Sequence, residues 1–220
     1  NNRPQKIMHI DLDYIYDQDP AQQERNLDHL LDRIVEVDGN TVYLQAFSDP
    51  DANGSADMVY FPNRYLPMRA DLFNRVAWQI QSRTQVSRIY AWMPLLAWEL
   101  PKNNPAAQDR VETQATQDAK HLDMGYHRLS PFSPDARKTI AGIYTDLAKS
   151  VPFNGILFHD DATLSDYEDA SPEAMQAYAS IGLPNDLAKI RSNDADLQKW
   201  TAYKTKYLDD FAMQLASDVR

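Results

Sequence analysis

Five carboxylates fall in one short connection of this chain. Asp160, Asp161, Asp166, Glu168 and Asp169 follow the apolar run Phe153-Asn-Gly-Ile-Leu-Phe158. Hydrolysis of a glycosidic bond needs one carboxylic acid to protonate the leaving oxygen, and usually a second carboxylate to attack the sugar or activate water. Clustered acids supply both roles, because adjacent like charges disfavour joint ionisation and keep a proton on one member near neutral pH. Asp160, Asp161, Asp166 and Glu168 are therefore the candidate catalytic acids. His159, next to them, is a candidate for tuning their charge and touching substrate. Asp160 and Asp161 repel each other where an apolar strand ends, unless a substrate or ion rewards them. Asp169 reads as structural, because it precedes Ser171-Pro172, a Ser N-cap and first-turn Pro that start a helix.

Sugar rings stack their apolar faces on Tyr and Trp, while their hydroxyls bond Asp, Asn and His. Trp92, Trp98, Tyr126 and His127 lie in or beyond an apolar run at Ile89–Met93. Tyr126 and His127 fall in a loop and read as substrate contacts; Trp92 reads as half core, half contact. Trp78 and Trp200 lie on helices and read as core. Near the amino terminus His9, Asp11 and Asp13 alternate with Met8, Ile10 and Leu12, so one side of that strand is polar. Asp13, where this strand meets its loop, is a further candidate contact. Asp49, Asp51 and Asn53 alternate as in a calcium loop, but glycine follows at once and no distal Glu stands in place. No metal site and no cofactor are assigned, and the five histidines are sparse for a His-rich metal site.

These residues need elements to hold them. Short apolar strands at Ile7–Asp13, Thr41–Phe47, Ile89–Met93 and Gly155–Phe158 alternate with amphipathic helices at Gln22–Val37, Asp71–Arg83 and Ser133–Lys149. Further helices are predicted to about Ile181, over Leu183–Arg191 and over Asp194–Val219, with no further strand. The connection from Pro94 to Ser133 is long, and its middle, Lys102 to Lys120, is polar enough to be mobile. Strand-helix alternation with long crossovers implies parallel strands in βαβ units, an α/β fold. Two architectures follow: a small open doubly wound sheet, or the first half of an eight-stranded (β/α) TIM-type barrel. The loops lengthen after the second, third and fourth strands while the returns stay short, as when one rim carries function. The barrel is favoured, with residues 1–220 as the amino-terminal portion of one domain, four βα units, and the remaining strands beyond residue 220.

The 220 residues carry 43% apolar and 25% charged side chains, enough for a real core. With 22 Lys and Arg against 32 Asp and Glu, the net charge of −10 argues against nucleic acid and for a neutral or cationic ligand. The absence of cysteine excludes disulfides, thiolate metal sites and a Cys nucleophile. The longest apolar stretch, Ile89 to Trp98, is about half the ~20 residues of a membrane-spanning helix. The amino terminus has no apolar signal core, so any targeting sequence is expected outside the chain.

Met8-His-Ile-Asp-Leu-Asp-Tyr14, Val42-Tyr-Leu-Gln-Ala-Phe47, Phe61-Pro-Asn-Arg64, Ile89-Tyr-Ala-Trp-Met-Pro94, Tyr126-His-Arg-Leu-Ser-Pro-Phe132, Gly155-Ile-Leu-Phe-His-Asp-Asp-Ala162 and Leu164-Ser-Asp-Tyr-Glu-Asp-Ala-Ser171 carry a family resemblance. They are similar to the carboxy-terminal glycoside hydrolase domain of the PgaB family, the bacterial poly-β-1,6-N-acetyl-D-glucosamine N-deacetylases of biofilm export. The stretch from about Lys102 to Leu122 departs from the pattern. The resemblance implies a (β/α) barrel that binds partially deacetylated poly-N-acetylglucosamine and cleaves it as an endo-acting glycoside hydrolase. It implies a periplasmic, outer-membrane-associated parent protein, partnered by outer-membrane export machinery. The family's deacetylase chemistry belongs to a preceding metal-dependent domain, so no deacetylation is expected of this chain. By resemblance the groove acids fall on Asp160, Asp161, Asp166 and Glu168, with Asp166 the essential one and Tyr126 a sugar contact. Other groove aromatics of the family lie in the second half of the barrel, so the fragment alone is expected to act weakly. An acidic groove suits the substrate, whose free amines are ammonium groups. Two alternatives stay open: a non-catalytic module that guides the polymer during export, and a metal-dependent hydrolase using the same carboxylates.

Overall fold

The computed structural model describes residues 3–114, 127–150, 152–159 and 161–220. Tyr126 and Asp160, both expected in the site, lie outside the described residues. Four parallel strands form the main sheet: β1 (Ile7–Asp11), β2 (Thr41–Gln45), β5 (Arg88–Met93) and β6 (Gly155–Phe158), in that spatial order. Between β2 and β5 lies an antiparallel pair of two-residue strands, β3 (Phe47–Ser48) and β4 (Met58–Val59). The strand order follows the chain without reversal. A doubly wound sheet reverses its order at a switch point, so the sequential order departs from that architecture.

Six α-helices and one 3-10 turn (Leu12–Tyr14) complete the described fold: α1 (Pro20–Glu36), α2 (Leu72–Arg83), α3 (Pro134–Leu147), α4 (Pro172–Ser180), α5 (Leu187–Arg191) and α6 (Asp194–Asp218). The start signals act as the sequence predicts. Ser133 accepts from Ala136 N, and Ser171 from Ala174 N, each just before a first-turn Pro. Asp19-Pro20 uses the same device to start α1 two residues before the predicted Gln22.

One sheet face is packed and the other is open. Ile10, Val42, Leu44, Ile89 and Ala91 join Leu27, Leu31 and Ile34 of α1, Val76 and Ile80 of α2, and Ile140 and Ile143 of α3 in one core cluster. The alternate residues His9, Tyr43, Tyr90 and Trp92 sit on the opposite face, where His9 is exposed and the others half-buried. A second cluster joins Phe132 to Ala174 and Tyr178 of α4, Leu187 and Ile190 of α5 and Trp200 of α6. Trp200 is core as predicted; Trp78, at 57% exposure, is not, because its position on α2 faces away from the sheet-packed stripe of Leu72, Phe73, Val76, Ala77 and Ile80.

The polar connection predicted to be mobile is fastened over its described part, which ends at Gln114. Ala106 and Ala107 are buried, Val111 N donates to Arg128 O, and Gln114 N donates to Tyr167 O. Small side chains let this segment lie close to its neighbours, and its backbone groups find partners there. No helix among the described residues is long and apolar enough to cross a membrane.

Candidate active site

Strand register sets the rim. Asp11, Gln45, Trp92 and Leu157 lie at one level across the four parallel strands, so the loops after them leave from one edge. On the open face a row of rings crosses the sheet. His159 stacks on Trp92 at 5.5 Å and 22°, His9 meets Trp92 edge-on at 5.4 Å and Tyr43 at 4.9 Å, and Tyr43 meets Tyr90 at 5.8 Å. Two of the predicted contacts, Trp92 and His159, are thus brought together. Trp98 is buried, its indole N–H given to Leu95 O at 3.1 Å, and it cannot face a sugar.

The acidic loop after β6 sorts its carboxylates into different tasks. Asp161 is 2% exposed and accepts from three consecutive backbone amides: Leu95 (3.0 Å), Leu96 (2.7 Å) and Ala97 (2.6 Å). Burial raises its pKa while those three N–H groups, and the charge of His159, oppose the rise. Both oxygens of this candidate catalytic acid accept from the loop after β5 and clamp it. Glu168, a further candidate acid, is also engaged inside the loop. It is buried, ion-paired with Arg128, and accepts from Ser165 N at 3.0 Å and from Thr113 Oγ1 at 3.3 Å. Asp169 is structural as read: it is buried and holds Ser130 Oγ (2.6 Å), Glu112 N (3.0 Å) and Ser171 N (2.8 Å).

Asp166 differs from all three. Its side chain is exposed, and no described residue hydrogen-bonds its carboxylate. It stands in a turn closed by Glu168 N donating to Ser165 O at 3.1 Å. Its own carbonyl accepts from Arg191 Nη1 at 3.0 Å, and that guanidinium lies 4.3 Å over the Tyr167 ring. Beneath the turn, Lys204 Nζ donates to Ser165 O at 2.6 Å and to Glu168 O at 2.8 Å. Arg128, Arg191 and Lys204 escaped the sequence reading. For Lys204 a signal existed: it occupies the buried stripe of α6 formed by Trp200, Leu208, Phe211 and Leu215, where an apolar residue belongs.

The remaining candidates form separate groups. Asp13 is engaged by the Tyr60 hydroxyl and by Arg69 Nη1 at 3.1 Å, with Arg69 also on Ser48 Oγ and 4.2 Å over the Tyr16 ring. Its carboxylate thus ties the turn after β1 to the segment after β4, and Arg69 carries the connection on to Ser48 of β3. His127 accepts from Arg110 Nη1 at 2.6 Å through Nδ1, and its carbonyl accepts from Ser55 Oγ at 2.6 Å. Neither group has a described hydrogen bond to the loop after β6.

The β3–β4 ribbon closes an acidic loop in which carboxylate oxygens of Asp49, Asp51 and Asp57 lie within 4.8 Å of one another. Asp49 accepts from the Asn53 and Gly54 amides, and Asn53 Nδ2 donates to Asp51 and Glu99. Burial, then hydrogen bonds to Glu99 and Asp51, push Asp57 up to about 8, so it holds a proton at neutral pH and donates it to its neighbours. A carboxyl raised in the fold contributes stability below its unfolded pKa and loses it as pH rises through the folded value. Asp57→Asn, neutral in both states, is accordingly expected to raise the melting temperature most at pH 9, less at pH 6 and least near pH 4; an effect equal at all three pH values in thermal denaturation refutes the shared proton.

Residues 9–220 match Hypothetical glycosyl hydrolase family 13. The chain belongs to this family. The match runs from His9 in β1 through α6. Within the range of solved structures, the PgaB (BpsB) glycoside hydrolase domain from Bordetella bronchiseptica is 50% identical with a TM-score of 0.92, over 98% of this chain and 61% of that one. A hypothetical protein from Ruminiclostridium thermocellum shares the fold alone, at 10% identity and a TM-score of 0.53 over 90% of this chain and 91% of that one. Poly-beta-1,6-N-acetyl-D-glucosamine N-deacetylases of Escherichia coli strains K12 and O157:H7 are each 46% identical over 223 residues, 99% of this chain. The chain spans 32% of the length of each. The resemblance to the PgaB glycoside hydrolase domain, read from the strand-end motifs, is therefore real.

Proposed function

We propose that this chain is the first half of a (β/α) barrel that binds partially deacetylated poly-β-1,6-N-acetyl-D-glucosamine and hydrolyses it internally. The observation that carries this reading is the sorting of acids after β6: three described carboxylates build the loop, and Asp166 is left exposed on it. Sequential parallel strands with one packed and one open face support the barrel, since all-parallel sheets are covered on both faces and a barrel's interior is filled by its own strands. Further strands would cover the ring row and supply groove residues. The net charge of −10 would draw the ammonium groups of a deacetylated polymer. In the parent protein the domain would work in the periplasm beside outer-membrane export machinery during biofilm formation, with deacetylation left to another domain.

One observation favours a second reading, a module that guides the polymer without cutting it. Glycosidases usually use two carboxylates, and among the described residues of the loop only Asp166 has its carboxylate unbonded. The full-length protein, incubated with partially deacetylated and with fully acetylated polymer, decides between them. Endo-hydrolysis yields oligosaccharides by mass spectrometry from the partially deacetylated polymer, unaffected by EDTA, with affinity falling as salt rises. Binding without products supports the guiding module. Products that vanish with EDTA support the metal-dependent alternative, and the absence of both binding and cleavage overturns the proposal.

A further inference from the structure

Lys204 is 3% exposed and has no carboxylate partner within ion-pair distance among the described residues. Taking an ammonium out of water costs several kcal/mol unless its donors are used, so an apolar residue on this stripe of α6 would be the cheaper choice. Its donors are used on one structure only. Nζ lies 3.4 Å from the ring centre of Trp200, one helical turn earlier, and gives its hydrogen bonds to the carbonyls of Ser165 and Glu168, which begin and end the turn bearing Asp166. Ser165 O accepts both from Lys204 and from Glu168 N, so the cation meets the bond that closes the turn.

We propose that Lys204 is the positioning residue of the Asp166 turn: from the floor of the loop it fixes the backbone on both sides of the acid and sets a positive charge beneath it. This rests on the hydrolase reading above. The two anchored carbonyls flank Asp166, so the side chain is aimed by a braced backbone without any bond to its carboxylate. The charges facing Lys204 are Asp166, Glu168 and Asp169 of the loop and Arg191 of α5, with Asp209 lining the cavity of about 190 Å³ beside it. Burial lowers its pKa to about 8, against the pull of the three acids. Above that pH a neutral amine still has two N–H groups for the two carbonyls, but the charge under Asp166 is gone.

The test uses the full-length protein and partially deacetylated polymer, with Lys204→Met, Lys204→Arg and Asp166→Asn compared across pH. Lys204→Met is expected to lower kcat about tenfold, with KM held within about twofold, because the acid is misplaced and the substrate contacts are not. The unmodified protein should show an inflection in rate near pH 8 that Lys204→Met lacks; Asp57→Asn should retain it, which separates the two groups titrating there. Lys204→Arg, which keeps charge and donors, should recover part of kcat and move the inflection upward. A Lys204→Met protein with unchanged kcat and pH profile, beside an inactive Asp166→Asn, overturns the inference and leaves the hydrolase reading intact. If Lys204→Met does not fold, Lys204→Arg carries the test: a reduced kcat with KM held and an inflection moved upward supports the bracket, and kcat and a pH profile identical to those of the unmodified protein overturn it.

Discussion

Asp166→Asn in the full-length protein is expected to lower cleavage of partially deacetylated polymer by about 100-fold or more, the low end of what a positioned acid or base contributes. Thermal melting should stay where it is, because an exposed substitution without buried partners usually changes stability by less than about 0.5 kcal/mol. Those two results together separate Asp166 from its neighbours, whose carboxylates are bonded inside the loop. Asn keeps the size and the polar contacts of Asp but cannot give or take the proton. Binding of the polymer, read by calorimetry, should weaken far less than kcat falls, since only the charge of one side chain is lost. Cleavage that survives Asp166→Asn would remove this residue from the chemistry and move the search to acids elsewhere in the parent protein.

The strands were legible because β-branched and aromatic runs declare themselves: Thr41–Gln45 and Arg88–Met93 pair in register where the apolar runs were read. Helix starts at Ser133 and Ser171 were legible because a cap and a Pro act locally. The tasks of the acids were not. Asp161 and its three amide donors are 64 to 66 residues apart, and Glu168 is 40 residues from Arg128, so no local pattern shows that these carboxylates are occupied. Asp169 was read correctly for a local reason, its place before the Ser171 cap. The β3–β4 pair was missed because two-residue strands carry too little alternation to register against a turn-rich loop. Lys204 shows the opposite case, in which the helical stripe is visible in the sequence and Lys204 is the one charged position in it.

Asp161→Ala is expected to cost the most stability of any change in the loop, about 4 kcal/mol. Removing the carboxylate leaves three buried N–H groups, Leu95, Leu96 and Ala97, without acceptors, and each orphaned buried donor costs about 1–3 kcal/mol before water or relaxation recovers some of it. For a domain of this size that corresponds to a fall in melting temperature on the order of 10 °C. Asp161→Asn should lose about half as much: its single oxygen can serve Leu96 and Ala97 as Oδ2 does now, while its amide nitrogen faces the Leu95 N–H as a second donor. Hydrogen exchange gives the local reading, because the clamp joins the segment after β5 to the one after β6. Protection at residues 95–97 should collapse in Asp161→Ala well before the core strands open. The same segment is held by the Tyr144 hydroxyl on Pro94 O at 2.7 Å and by the Trp98 indole on Leu95 O, so it should remain in place as a loosened loop rather than unfold. A melting temperature within about 2 °C of the parent would show that Asp161 is not the clamp, and would return it to the acids available for catalysis.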